Sequence, residues 1–176
     1  MLMQIKAYRL QRRGIVMRKY YAFILLALVP GKAAATDATT TMGVSATVLN
    51  ACLVSATDMA FGSYDPTSAT PKDTTSTITV TCTPGTVFNI GLNAGSTGGA
   101  TVSTRQMLNG ATPLDYGLYS NTGRSTNWGN SVGSDTVSQT ASTILPSAFT
   151  VYGRIPVGQS VAAGNYADTV TVTVSY

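Results

Sequence analysis

An all-β sandwich is the fold class this sequence predicts, and three observations predict it. Runs of strict apolar–polar alternation recur along the chain, most clearly from Val170 to Tyr176. Turn signals built on Gly, Pro, Asn and Asp fall every ten or so residues between those runs. No convincing amphipathic helix follows residue 35. Period-2 alternation of β-branched and aromatic residues marks half-buried strands, and many short strands at such spacing suggest two sheets packed face to face.

The final run sets the problem for the rest of the chain. Val170, Val172, Val174 and Tyr176 point one way, and Thr169, Thr171, Thr173 and Ser175 the other. No further strand follows in the sequence to pair with it. An apolar strand edge left bare invites another chain.

The net charge of +4 is unevenly spread. Residues 1–35 hold seven basic residues and no acid, whereas 36–176 hold four basic residues against seven aspartates, a net charge of −3. Nucleic-acid binding is therefore not expected. The basic segment reads as a secretory signal at 17–35: Arg18-Lys19, a ten-residue apolar stretch from Tyr20 to Val29, a break at Pro30-Gly31, and Ala33-Ala34-Ala35 as the cleavage pattern. Ten residues are too few to span a bilayer, which needs about 20, so membrane contact is expected only during export. Met17 is read as the start, with 1–16 an over-extended reading frame. With export, the two cysteines, Cys52 and Cys82, predict one disulfide. It closes a loop of about 31 residues and is worth roughly 3–4 kcal/mol in the chain-entropy model.

In the exported part, Thr36–Thr41 is polar and featureless. Met42, Val44, Ala46 and Val48 then share one face of an alternating stretch that runs straight into Leu49-Asn50-Ala51-Cys52. Taken alone, this reads as an ordinary first strand. Phe61-Gly-Ser-Tyr-Asp-Pro66 is an apolar step into a turn, and Thr67–Thr75 a polar loop. Thr77–Cys82 is a predicted strand with Ile78, Val80 and Cys82 inward. Thr83-Pro-Gly-Thr86 is a turn, and Val87–Leu92, with Phe88, Ile90 and Leu92 inward, is its predicted hairpin-like partner. Asn93–Ser103 is Gly-rich but has no lysine and no following helix, which excludes a phosphate loop. Arg105–Leu108 and Leu114–Tyr119 are strands, with Asn109-Gly110 a tight turn near their junction. Ser120–Gly133 is a long loop. Ala148–Ile155 is a strand with Phe149, Val151 and Ile155 on one face, and 156–165 connects to the last strand.

Catalytic chemistry is poorly provided for. The chain has no His and no Glu, and the cysteines are used by each other. The aspartates are scattered, mostly beside Pro, Gly or Ser, where Asp caps turns. No enzyme activity, metal or cofactor is expected. Arg105, Arg154 and Trp128 are the candidates for a ligand patch. The preferred alternative has each arginine lying over apolar surface or pairing with Asp, and Trp128 as a lid on one end of the sandwich.

Several segments, in order, carry a family resemblance. They are Ala51-Cys-Leu-Val-Ser-Ala, Phe61–Pro66, Ile78-Thr-Val-Thr-Cys-Thr-Pro-Gly-Thr86, Arg105-Gln-Met, Leu114–Tyr119, Trp128-Gly, Val151–Pro156 and Gly164–Val174. Together they resemble the spore coat protein U domain, a family that includes secreted subunits of archaic (Csu-type) chaperone–usher pili. The resemblance runs from about Val44 to Tyr176. It implies an immunoglobulin-like β-sandwich lacking its last strand, completed by a strand lent by a periplasmic chaperone. At an outer-membrane usher, the N-terminal strand of another subunit would replace it. It implies that 36–49 is a leader and donor strand, with Met42, Val44, Ala46 and Val48 as its inserting residues, and 50–176 the pilin domain. Val170, Val172, Val174 and Tyr176 would form the acceptor edge. The expected function is a surface pilus subunit for attachment and biofilm formation. The alternatives are an extracellular or spore coat/matrix protein, or a carbohydrate-binding tip adhesin.

Overall fold

The computed structural model describes residue 32 and residues 34–176. The expected start at Met17, and the charged and apolar parts of the secretory signal, lie outside the described residues. The chain divides into two units, Met1–Val44 and Ser45–Tyr176. The described residues of the first are exposed and carry no helix or strand.

The second unit is built of β1 (Cys52–Ala56), β2 (Lys72–Cys82), β3 (Val87–Leu92), β4 (Arg105–Asn109), β5 (Thr112–Tyr119), β6 (Val137–Thr140), β7 (Ser147–Ile155) and β8 (Val172–Ser175). No helix occurs among the described residues. One sheet has the order β1-β2-β7-β5-β4 and the other β6-β3-β8, and all paired strands are antiparallel. Ile78 and Val80 of β2, Leu114, Tyr116 and Leu118 of β5, and Val151 and Ile155 of β7 face Phe88, Ile90 and Leu92 of β3 across the core. These are the inward phases expected from alternation, because residues two apart share a sheet face.

The architecture is thus the immunoglobulin-like sandwich with one disulfide, Cys52–Cys82. That bridge joins directly opposed residues of β1 and β2, so it pins the edge strand to its neighbour. Trp128 is buried, and its indole N–H donates to the Ile90 carbonyl at 2.8 Å. It plugs the core from the 120–133 loop.

Several elements differ from expectation. β2 and β3 do not pair: β2 lies between β1 and β7, and β3 between β6 and β8. The turn at 83–86 is an arch between sheets. Gly85 takes a φ of 87° there, and its N–H donates across to Ala141 O at 2.8 Å. β2 begins at Lys72, inside the expected polar loop. Thr74 and Thr75 sit opposite Gly153 and Tyr152 of β7, and the outward Asp73 pairs with Arg154. β1 and β6 are strands that the sequence did not announce. β8 is shorter than the alternation, because at Thr171 the Asn93 side chain takes over from the ladder: Thr171 N–H donates to Asn93 Oδ1 at 2.8 Å.

Candidate strand-acceptor groove

β8 pairs with β3 along one edge only, and among the described residues no strand occupies its other edge. On the opposing sheet, β1 is likewise an edge strand, and β1 and β8 approach each other across the seam. Between the two sheets runs a groove of about 430 Å³. Its floor is the inner face of the larger sheet, including Ile78, Tyr116, Leu118 and Val151. Its walls are Ala56–Met59 on one side and Tyr166–Val170 with Val172 on the other.

The apolar residues along this seam are incompletely covered. Val170, Val172 and Val174 pack against the core but remain half-buried. Val54 shares the inward phase of Cys52 and Ala56, yet is 43% exposed. Val80, which pairs with it in the same sheet, is 1% exposed. The difference is the missing cover along one side of the sandwich. Of the residues expected to form the acceptor edge, Val172 and Val174 lie in β8, Val170 precedes it, and Tyr176 follows it and is exposed.

Polar contacts fix the groove's rim. Asp168 Oδ2 accepts from the Tyr116 hydroxyl at 2.6 Å, and Asp168 Oδ1 accepts from the Ser96 N–H and hydroxyl and from the Thr169 N–H. Burial pushes the Asp168 carboxyl up, but those hydrogen bonds together outweigh it and hold the carboxyl below its usual range. Burial, then the bond to Asp168, drives the Tyr116 hydroxyl well above its ordinary value, so it remains a neutral donor. Gly95, at φ 92°, makes room for this hub: a Cβ there would collide with the Asp168 carboxylate. At the groove's mouth, Met59 and Phe61 lie against Gly153 where a Cβ would stand, and the Phe61 ring meets Tyr116 edge-on at 6.0 Å.

Arg105, Arg154 and Trp128 do not converge as a ligand patch. Arg154 makes a two-point ion pair with Asp73 on the outer face at 2.8 Å. Arg105 is fully buried and, among the described residues, pairs with no carboxylate. Its guanidinium donates to the carbonyls of Leu92, Asn93, Val102 and Trp128 at 2.6–2.9 Å. It locks β4 to the end of β3, a structural role that neither sequence reading proposed. The signal was present: Arg105 shares its alternation phase with Met107, which lines the groove.

Met42, Val44, Ala46 and Val48 are exposed, and no described residue before Cys52 is in a strand. Leu49 and Asn50 meet the 83–86 arch through the hydroxyls of Thr83 and Thr86, at 3.2 Å each.

Known proteins share this chain's pattern. The chain is 36% identical over 169 aligned positions to Protein U of Myxococcus xanthus, covering 86% of this chain and 91% of that protein. It is also similar to a chain in the crystal structure of the CsuC–CsuE chaperone–tip adhesion subunit pre-assembly complex from archaic chaperone–usher Csu pili of Acinetobacter baumannii. That likeness has a TM-score of 0.55 and 27% identity; it covers 74% of this chain and spans 40% of the other. The family model for the spore coat protein U domain matches residues 38–173, and this chain belongs to that family.

Proposed function

We propose that this chain is a secreted structural subunit of a chaperone–usher pilus, exported through the periplasm and assembled at the cell surface by strand donation. The observation that carries the reading is the open seam between β1 and β8, with Val170, Val172 and Val174 half-buried beside an unpaired strand edge. A periplasmic chaperone would cover that seam first, and the leader of another copy or a related subunit would replace it at an outer-membrane usher. The pilus would serve surface attachment and biofilm formation. The groove has the chemistry of a strand-addition site: a free main-chain edge for affinity and an apolar floor for alternate side chains.

The donor in this reading is Met42–Val48. Burying a side chain of Val or Met size stabilises by roughly 1.5–3 kcal/mol, and Ala by less. Met42, Val44 and Val48 with Ala46 therefore supply on the order of 5–9 kcal/mol, from which the ordering of the leader is subtracted. Their exposure, and the absence of strand pairing among the described residues before Cys52, leave them available for this.

The test is co-expression of the exported chain with a periplasmic chaperone from an archaic pilus system. The expected product is a soluble 1:1 complex, with the subunit alone aggregating or self-pairing. A stable, soluble monomer that ignores the chaperone would contradict the reading and favour a coat or matrix protein that assembles without an usher.

A further inference from the structure

The sandwich has two ends of different character. At the disulfide end, β1 and β2 are joined at Cys52 and Cys82, and Ser147 of β7 lies opposite Val80. At the far end, Lys72 lies opposite Ile155. The length of β2 separates them, about 35 Å at ~3.3 Å per residue.

The disulfide end carries an apolar tip. The 83–86 arch holds both the root of the leader, through Thr83–Leu49 and Thr86–Asn50, and the start of the β6–β7 loop, through reciprocal bonds with Ala141. That loop presents Ile144 and Leu145 to solvent at 70% and 68% exposure. The far end carries a cleft of about 760 Å³. Met59–Tyr64 and Val161–Tyr166 border it, over Leu114 and Ile155, and it shares Met59, Phe61, Met107 and Tyr166 with the groove.

Chain geometry brings tip and cleft together between copies. β8 enters from the Asp168 side and ends with Ser175 opposite Asn89, so it runs from the far end toward the disulfide end. Every pairing in the domain is antiparallel. A strand added antiparallel to β8 leaves the recipient at its far end. Only Leu49, Asn50 and Ala51 separate Val48 from β1, and a chain spans at most ~3.3–3.6 Å per residue. The donor's disulfide end is then held within roughly 15 Å of the recipient's far end.

We propose that Ile144 and Leu145 of one copy seat in the far-end cleft of the next copy, a second contact beside the donated strand. This rests on the strand-donation reading above. The contact is head-to-tail, tip of one to cleft of another, and such contacts propagate into filaments. It adds a second constraint on the angle between successive subunits, beside the short 49–51 linker that the arch holds.

Cysteine pairs in assembled fibres test it. Leu145→Cys is combined with Ala163→Cys, and in a second fibre with Ala60→Cys, both on the cleft; Val44→Cys with Val170→Cys is the groove control. After mild oxidation and boiling in detergent to dissociate noncovalent fibres, the expected result is a covalent ladder that collapses on reduction, from the control and from at least one cleft pair. A ladder from the control with none from either cleft pair overturns the tip contact and leaves strand donation standing. No ladder from any pair overturns both. In fibres of an Ile144→Ser, Leu145→Ser variant, bending persistence length by electron microscopy is expected to fall at least twofold; an unchanged value overturns the contact.

Discussion

The Tyr116 hydroxyl donates to Asp168 at 2.6 Å, and through this bond the segment leading into β8 is fastened to the inner face of the opposite sheet. The same carboxylate gathers the Ser96 N–H and hydroxyl and the Thr169 N–H. One side chain therefore holds the groove's rim at the height at which Val170 and Val172 face inward.

Acid should loosen this rim. The folded-state pKa of Asp168 is depressed, so its contribution is fully present above the unfolded value of 3.8 and is lost as pH falls through the lower folded value. Stability of the subunit, completed in the proposed manner by a donated strand, should drop below about pH 4. Asp168→Asn should be less stable at pH 7 by about 1–3 kcal/mol, because it cannot accept all four bonds. Its stability should also depend less on pH between 2 and about 4 than wild type. Denaturant titrations across that range check both; equal slopes in the two proteins would show that Asp168 is not the titrating group.

Arg105→Met should cost at least about 3 kcal/mol. It strands the buried carbonyls of Leu92 and Trp128 and the part-buried ones of Asn93 and Val102, and unsatisfied buried polar groups cost about 1–3 kcal/mol each. Arg154→Met, which removes only a half-exposed ion pair, should change stability by about 1 kcal/mol or less. A shift in thermal midpoint as large for Arg154→Met as for Arg105→Met would contradict the structural ranking.

Removing the disulfide by Cys52→Ser with Cys82→Ser should lower stability by about 2–5 kcal/mol and reduce secreted yield. β1 is the edge strand of the five-stranded sheet, facing β8 across the groove, and the bridge at Cys52 ties its first residue covalently to β2. Mass measurement should find the native chain two hydrogens lighter than its reduced form.

Much of the core was legible as phase. Ile78, Val80, Phe88, Ile90, Leu118 and Val151 all face inward as alternation required, because one buried face suffices to write a period of two into a strand. Elements stabilised mainly by their partners were not legible. β6 offers one apolar residue, Val137, and exists because Val87–Ile90 gives it a ladder. The polar half of β2 is a strand because β7 is long enough to pair with it. The β2–β3 arch was misread because Pro-Gly marks a reversal without stating whether the next strand stays in the same sheet. The groove follows from β8's valines only once the sheet order is known, and the Asp168 and Arg105 hubs join residues up to 72 apart in sequence.

Strand donation itself is tested most directly at Val44. Val44→Asp puts a charge at a proposed inserting position, where it must be desolvated or leave a pocket empty. Ser45→Asp, on the opposite face, is the control. Polymerisation from purified chaperone–subunit complexes, read as a denaturant-resistant ladder, should be abolished by Val44→Asp and nearly unchanged by Ser45→Asp, with both variants forming the chaperone complex normally. If Val44→Asp instead prevents the subunit from folding with its chaperone, residues 42–48 belong to the domain's own sheet and the donor assignment is wrong.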